Sequence, residues 1–460
     1  MVNWQGKRVA VVGLGVSNLA VIQYLLPRQD VITACDKKTP EQLGQRWHQI
    51  KDYPIDFKFG ADYLSGLEQF DWVFLAPGLP KELPEIKALA NTDVTICSEM
   101  GLFLELNPAS TVGITGSSGK TTTTTLIGRM LGKEKRTWVG GNIGTPLLTK
   151  IADIAKSDWV VLELSSFQLE IVDHAPDIAV VTNITPNHLD VHPSMEAYIA
   201  AKKRIWQFQS SEQQVVLNYD DPITRAMAES APGQVYWFSR QREVDQGAFV
   251  RDGEIVLRNV PPAASGEKIL CSVDDIRLVG SHNIENILAA AAASALAGVS
   301  LEALTSVITT FAGVPHRLEK VREIDGVKFY NDSIATSPSR AVAGLRAFVE
   351  PIILIAGGYD KNLPFDEFAQ VIQEKAKAVV LLGAAAAKIE AAISSQGSQV
   401  PVYRVEALEQ AVRLANDLAS PGDVVLLSPA CASYDMFQNF EERGDRFREL
   451  VGSLVRRIAE

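Results

Sequence analysis

The chain has 460 residues, enough for two to four domains that each bury a core of their own. With 44 Lys and Arg against 55 Asp and Glu, a net charge of −11, it is no general binder of nucleic acid, and an anionic ligand has to be gripped by local groups. Cys35, Cys97, Cys271 and Cys431 stand far apart with no CxxC or His-Cys cluster, which reads as buried thiols in a reducing compartment.

The N-terminus, MVNWQGKRVAVVG, runs straight into a strand over residues 7–12 and lacks the apolar core of a signal peptide. Gly13-Leu14-Gly15-Val16-Ser17-Asn18 follows, then a helical run through Leu26, then a strand over 31–34 ending in Cys35-Asp36. This is a Rossmann-like opening with an acid where a ribose hydroxyl would be read. Asn18 stands where the third glycine usually does, so close packing of helix on strand is not specified by the usual means. A strand over 72–76 ends in Pro77-Gly78, a loop at the carboxyl end of a strand, where open α/β sheets bind ligands. The reading is a nucleotide-type ligand in a domain of residues 1–98, against a purely structural α/β domain.

The second domain, residues 99–313, carries GITGSSGKTTTTT at 113–125, which reads as strand, tight glycine turn and helix start. Gly116 and Gly119 let the backbone curl until successive N–H groups point at one anion, and the helix N-terminus adds its dipole. Lys120 would reach the terminal phosphates of a nucleotide and Thr121 would offer a hydroxyl to Mg2+, with ATP as the working ligand. The strict GxxxxGK[ST] spacing is not met, because Ile114 occupies the first glycine position. Short apolar strands at 138–139, 159–163 and 179–182, separated by helix-length segments, indicate a parallel sheet buried on both faces. Glu163 opens ELSSFQLE at the end of one of these strands and is placed to bind the nucleotide's Mg2+. The stretch Asn183 to Asp190 has the form NxxxxH-x-D, giving His188 a metal or phosphate role against the alternative of a capped loop. Tyr198 to Phe208 reads as a helix whose Lys202, Lys203 and Arg204 form, on pattern alone, a solvated basic face. Residues 210–280 read as a peripheral antiparallel segment. Asn283 and Asn286 then open an alanine-rich helix, either as caps or as hydrogen-bonding partners of a base. Its apolar run, 287–299, is too short to span a bilayer, so the expectation is a cytoplasmic protein without membrane insertion.

The third domain, residues 314–460, alternates strands at 327–330, 352–356, 378–382, 401–405 and 424–427 with helices. Polar residues gather at strand ends: Asn331-Asp332-Ser333, Gly357 to Lys361, and Ser428 to Ser433. The fold class is therefore α/β in three domains: a Rossmann-like N-terminal domain, a central P-loop mononucleotide-binding domain with a parallel sheet, and a C-terminal Rossmann-like domain. Ligands would lie in clefts between them.

These residues resemble the Mur ligases, through the Gly116 to Thr121 loop, ELSSFQLE, the N-x4-H-x-D loop, AAKKRIW, HNIEN, PHRLE and NDSIATSP. ELSSFQLE together with SPACASYDMFQNFEERG resembles the member that adds D-glutamate. The resemblance implies an ATP-dependent, ADP-forming ligase of peptidoglycan synthesis, and so a part in cell shape and division. It joins the carboxylate of UDP-N-acetylmuramoyl-L-alanine to the amine of D-glutamate through an acyl phosphate. It implies a monomer with two Mg2+ sites. By motif, Gly116, Ser117, Gly119, Lys120, Thr121 and Thr122 would hold phosphates, and Thr121 with Glu163 one Mg2+. His188 would bind the second Mg2+ or position the acyl phosphate, and Lys202 would be carbamylated and able to bind metal. Asn283 and Asn286 would approach adenine, Asp332 the ribose and Arg317 the phosphates. Val16, Ser17, Asp36 and Lys37 would surround uracil, Asn142 the diphosphate or muramoyl group, with Ser165 also on the substrate. Thr336, Ser433 and Phe440 would hold D-glutamate, and Lys361 keeps the family lysine. Ile334 stands where many members have lysine, so a phosphate contact there is missing or supplied elsewhere, and GGYDK departs from the usual GGDGK.

Two rivals from other classes remain at this level. An NAD-dependent dehydrogenase would use Gly13, Gly15 and Asp36 but leaves Gly119-Lys120-Thr121 unexplained. A non-catalytic P-loop module would bind nucleotide without releasing phosphate. Within the family, a ligase adding lysine or diaminopimelate is disfavoured by the lack of a DNPR string.

Overall fold

The structure, a computed structural model, describes residues 4–28, 31–186, 192–261, 266–278, 280–361 and 363–455. It divides into two compact units, Met1–Phe311 and Ala312–Glu460. The first holds two sheets. Strands β1 (Val9–Val12), β2 (Ile32–Asp36), β3 (Asp56–Phe59), β4 (Trp72–Leu75) and β5 (Thr95–Cys97) lie in the order β3-β2-β1-β4-β5, all parallel. The strand order reverses between β1 and β4, which opens a crevice at their carboxyl ends beside loops 13–15 and 76–81. The third-glycine function falls to Asn18, which is fully buried and donates from Nδ2 to the carbonyls of Val12 (2.8 Å) and Gly13 (2.9 Å). Helix Val16–Leu25 is thus tied to its strand by hydrogen bonds instead of by backbone proximity.

The second sheet contains β6 (Ser110–Thr115), β7 (Thr137–Gly141), β8 (Trp159–Glu163), β9 (Ile178–Val181), β10 (Gln214–Asn218), β11 (Gln234–Ser239), β12 (Gly247–Arg251), β13 (Glu254–Arg258) and β14 (Glu267–Ser272). Their order is β14-β13-β12-β11-β10-β9-β6-β8-β7. The run from β12 to β7 is parallel, and only β13 and β14 are antiparallel. The reading of 210–280 as an antiparallel appendage is therefore corrected: its first three strands extend the parallel sheet. They do so because helix Ser281–Leu296 covers them, and its Ala289 to Ala293, all without solvent exposure, let the helix lie close. The two sheets share one apolar core, in which Phe103 and Leu148 pack with Val11, Phe74, Val160 and Val181.

The second unit has β15 (Glu319–Ile324), β16 (Val327–Asn331), β17 (Ile352–Gly357), β18 (Ala376–Leu382), β19 (Val402–Arg404) and β20 (Val424–Leu427), ordered β15-β16-β20-β17-β18-β19. All are parallel except β15, which pairs antiparallel with β16. Apolar clusters cover both faces. The α/β class and the three parallel-rich sheets agree with the sequence. Among the described residues no helix is long and apolar enough to cross a membrane.

Candidate active site

Strand β6 lies between β8 and β9, so the loop that leaves it is flanked by the carboxyl ends of both. Gly116 (φ 144°) and Gly119 (φ 82°) sit in backbone conformations that side chains resist; a Cβ on the first would overlap Thr182 Oγ1, and on the second Asn286 Oδ1. The loop after β9 fastens this turn. Ser117 N–H donates to the Asn183 carbonyl (2.8 Å) and Ser118 N–H to Asn183 Oδ1 (3.0 Å). Ser117 Oγ donates to the Thr185 carbonyl (3.0 Å) and accepts from Thr185 N–H (2.9 Å). Helix Lys120–Leu131 then begins with its N-terminus on the loop, and Lys120 Nζ donates to the carbonyls of Gly116 (2.9 Å) and Ser117 (3.3 Å). Thr122 is buried on the inner side of that helix.

Thr121 and Glu163, read from separate motifs, meet: Thr121 Oγ1 donates to Glu163 Oε2 at 2.8 Å. Asn142, in the loop after β7, donates from Nδ2 to the other carboxylate oxygen (3.0 Å) and from N–H to the Glu163 carbonyl (2.8 Å). A hydroxyl and a carboxylate at a phosphate loop are hard oxygen donors of the kind Mg2+ takes, with phosphate oxygens completing its shell. Among the described residues no three His, Cys, Asp or Glu side chains form a metal cluster. His188, with Asn187 and Asp190, lies outside the described residues.

Lys202 overturns the solvated-face reading of its helix. It is 1% exposed, donates to the Gly116 carbonyl (2.9 Å) and Thr115 Oγ1 (3.3 Å), and stands 4.7 Å from the centre of the Tyr198 ring. Burial first, then the Lys120 charge, pull its amine down from 10.5 to about 7, against an opposing pull from Glu163. Tyr198, which no motif singled out, reaches Ser117 Oγ with its hydroxyl at 3.1 Å. Its spacing of four from Lys202 on one helix was the available signal. Lys203 and Arg204 are only partly buried, and Arg204 donates to the carbonyls of Leu169 and Val172 at 2.8 Å each.

Asn283 and Asn286 come beside the same loop. Asn286 is buried, donates to Asn283 Oδ1 (3.0 Å) and accepts from Thr123 Oγ1 (3.4 Å), while the N-cap of their helix is Gly280. Ser165 caps the short helix Ser166–Leu169 and exchanges hydrogen bonds with Gln168. In the first sheet, Val16 and Ser17 form the first helical turn after the glycine loop. Asp36 accepts from Leu14 N–H (2.6 Å) and Lys38 N–H (2.8 Å), with Lys37 exposed beside it.

In the second unit, Asp332 is buried and accepts from Leu318 N–H (3.2 Å) and Ser428 Oγ (2.9 Å); burial pushes its carboxyl up to about 7. Arg317 is exposed two positions from the start of β15. Lys361 Nζ donates to the Thr336 carbonyl at 3.0 Å. Arg443, missed from the sequence, is 2% exposed and donates to Ser333 Oγ and carbonyl (both 2.9 Å) and to the carbonyls of Cys431 and Ala432 (both 3.2 Å). Ser333 Oγ donates to the Phe440 carbonyl (2.8 Å), so one buried guanidinium organises the loops that carry Ser433 and Phe440. Arg340 donates to the Ile334 carbonyl at 3.4 Å.

Three family models match: the Mur ligase MurD-like N-terminal domain over residues 7–98, the Mur ligase middle domain over 114–294, and the Mur ligase glutamate ligase domain over 316–431. Among curated relatives, the UDP-N-acetylmuramoylalanine--D-glutamate ligase of Acetivibrio thermocellus is 49% identical over 98% of this chain and 97% of its own. That of Symbiobacterium thermophilum is 49% identical over 97% of this chain and 98% of its own. Solved structures share the fold: a UDP-N-acetylmuramate-alanine ligase from Thermotoga maritima at a TM-score of 0.53, with 19% identity, 97% of this chain and 99% of that one covered. MurF from Acinetobacter baumannii gives 0.54, with 18% identity over 98% of this chain and 93% of that one. With near-full-length identity of this order and all three domain models in chain order, the chain belongs to the Mur ligase family, alongside its D-glutamate-adding members.

Proposed function

We propose that this protein is an ATP-dependent ligase that joins D-glutamate to UDP-N-acetylmuramoyl-L-alanine, a step of peptidoglycan synthesis and hence of cell-wall biogenesis. A carboxylate is a poor acyl donor at neutral pH. Phosphorylation by ATP converts it to an acyl phosphate with a good leaving group, the amine of D-glutamate attacks, and phosphate departs. Such chemistry asks for positioning and charge neutralisation more than for a nucleophilic side chain. The observation that carries the reading is the convergence on one loop of Lys120, the Thr121–Glu163 pair and the buried amine of Lys202. The relatives' printed activity supplies the substrates.

The grouping of these residues around one loop supports the following roles. Gly116, Ser117, Gly119, Lys120, Thr121 and Thr122 hold the triphosphate, and Thr121 with Glu163 would hold Mg2+, which neutralises phosphate charge when bound. Lys202 is carbamylated: only a neutral amine attacks CO2, and a pKa of about 7 leaves about half of it neutral at that pH. The carbamate and His188 would serve a second Mg2+. Asn283 and Asn286 face adenine, Asp332 the ribose and Arg317 the phosphates. Arg340, against the Ile334 carbonyl, supplies the cation that position 334 lacks. Val16, Ser17, Asp36 and Lys37 take the uracil end, Asn142 and Ser165 the sugar-peptide end, and Thr336, Lys361, Ser433 and Phe440 the D-glutamate. Domains at 1–98, 99–313 and 314–460, a monomer and a cytoplasmic location complete the reading.

The test is ADP release with UDP-N-acetylmuramoyl-L-alanine against a panel of D- and L-amino acids. Stimulation by D-glutamate above all others supports the proposal. Release indifferent to the amino acid points to a nucleotide-hydrolysing module, and binding of a nicotinamide dinucleotide to a dehydrogenase.

A further inference from the structure

His192, to which the proposed reaction assigns nothing, is 2% exposed and stands among groups from two segments, residues 166–170 and Tyr198. Its Nε2 lies 2.9 Å from Ser166 Oγ and its Nδ1 3.3 Å from Glu170 Oε1. The Phe167 ring stacks on it at 5.2 Å and 11°, and the Tyr198 ring packs against it at 5.2 Å and 58°. Glu170 Oε2 meets Lys81 Nζ at 3.1 Å, and Lys81 also donates to the carbonyls of Pro77 (2.9 Å) and Phe167 (3.5 Å). Tyr198 in turn reaches Ser117. An unbroken line of contacts therefore joins the loop after β4 in the first sheet to the phosphate loop after β6 in the second.

The chemistry orients this line. The Glu170 carboxylate can only accept and it faces Nδ1, while the Ser166 hydroxyl faces Nε2, so the ring is held between an acceptor and a hydroxyl. Serine, histidine and glutamate in that order resemble a nucleophile relay, but Ser166 is 2% exposed, so no acyl group can reach its oxygen. What the line does is fix the turn at Ser165–Ser166, two residues beyond Glu163, relative to loop 77–81. The Lys81 and Glu170 side chains are only 20% and 28% exposed, so their attraction is less screened than at an open surface.

We propose that His192, with Glu170 and Lys81, is a positioning residue that sets where the acid of the nucleotide-sugar lies relative to the phosphate loop. The inference rests on the ligase reading above. It is tested by Lys81→Met, Glu170→Gln, their double variant, and His192→Gln beside His192→Ala. Binding of UDP-N-acetylmuramoyl-L-alanine is measured by calorimetry, together with kcat and the KM values for that acid and for ATP. Each of the first two variants raises the acid's Kd and KM about tenfold, the loss that follows when one half-buried partner is stranded, with the KM for ATP within about twofold. The double variant is no worse than the worse single, because both break one chain. His192→Gln, whose amide can still donate to Glu170, retains more affinity for the acid than His192→Ala. An unchanged affinity for the acid, multiplying effects in the double variant, or a parallel rise in both KM values overturns the proposal. A wild-type protein that neither binds the acid nor releases ADP rejects the ligase reading itself, and this inference with it.

Discussion

A lysine with 1% exposure carries a cost that folding alone does not repay. In CO2-free buffer, the folded state holds the Lys202 amine at about 7 while the unfolded chain holds it near 10.5, so between those values the unfolded state binds more protons and stability rises with pH. Lys202→Met removes this dependence. Its melting temperature is expected to exceed that of wild type by a margin that grows as pH falls from about 10 to about 7, at no more than about 1.4 kcal/mol per pH unit. Calorimetry across that range decides it; a margin flat with pH rejects the buried, neutralised amine. Turnover behaves in the opposite sense. Lys202→Met, Lys202→Ala and Lys202→Arg are all expected to lose activity by on the order of a hundredfold or more, because none can become a carbamate, and an active arginine variant removes that role. Only part of this was readable in the sequence. The lysine-lysine-arginine run looks like a solvated face until its register shows that Tyr198 and Lys202 share the inward side while Arg204 caps the end of a neighbouring helix. Arg443 was hidden for a related reason: a buried arginine satisfied by carbonyls has no acidic partner whose spacing could announce it.

The elements were legible in proportion to how thoroughly they are buried. β8, β9, β17 and β20 are continuous apolar runs and were recovered nearly residue for residue. β3 and β15 lie at sheet edges, where half-exposed residues blur the pattern, and β10 to β12 were given the wrong partners because hairpin-like punctuation surrounds them. The phosphate loop was legible because glycines mark it, and its geometry says which one matters most to the neighbouring helix. Gly119→Ala places a Cβ on Asn286 Oδ1 and forces a left-handed backbone angle on a residue that resists it. The expected outcome is loss of ATP binding with affinity for the UDP-sugar acid retained. Adding Asn286→Gly removes the overlap but leaves the backbone strain of about 1–3 kcal/mol and takes away a side chain proposed for adenine, so the double variant folds better than Gly119→Ala without regaining full ATP affinity. Titration of ATP and of the acid against both variants reads the two effects apart; equal loss of both ligands would show that the loop's damage spreads to the first sheet.

At the scale of the molecule, the apolar cores divide the labour. In Met1–Phe311 one core runs through both sheets, from Trp4 to Met227, with further clusters such as that of Ala10, Val12 and Leu75 beside it, and Ala312–Glu460 has its own clusters on the two faces of its sheet. The first unit therefore contains everything proposed for the UDP-sugar together with the phosphate loop, and the second contains Arg317 and Asp332 for ATP and Thr336, Lys361, Ser433 and Phe440 for the amino acid. A chain ending at Phe311 has its core intact and is expected to fold, to unfold in one cooperative transition, and to bind UDP-N-acetylmuramoyl-L-alanine within about tenfold of the full chain, since it loses no residue assigned to that ligand. It is expected to show no D-glutamate-dependent release of ADP. Calorimetric melting, titration with the acid and a coupled ADP assay on the truncated and full chains decide the point. A truncated chain that folds but has lost the acid would move part of that site into the second unit, and one that still responds to D-glutamate would take the amino acid out of it.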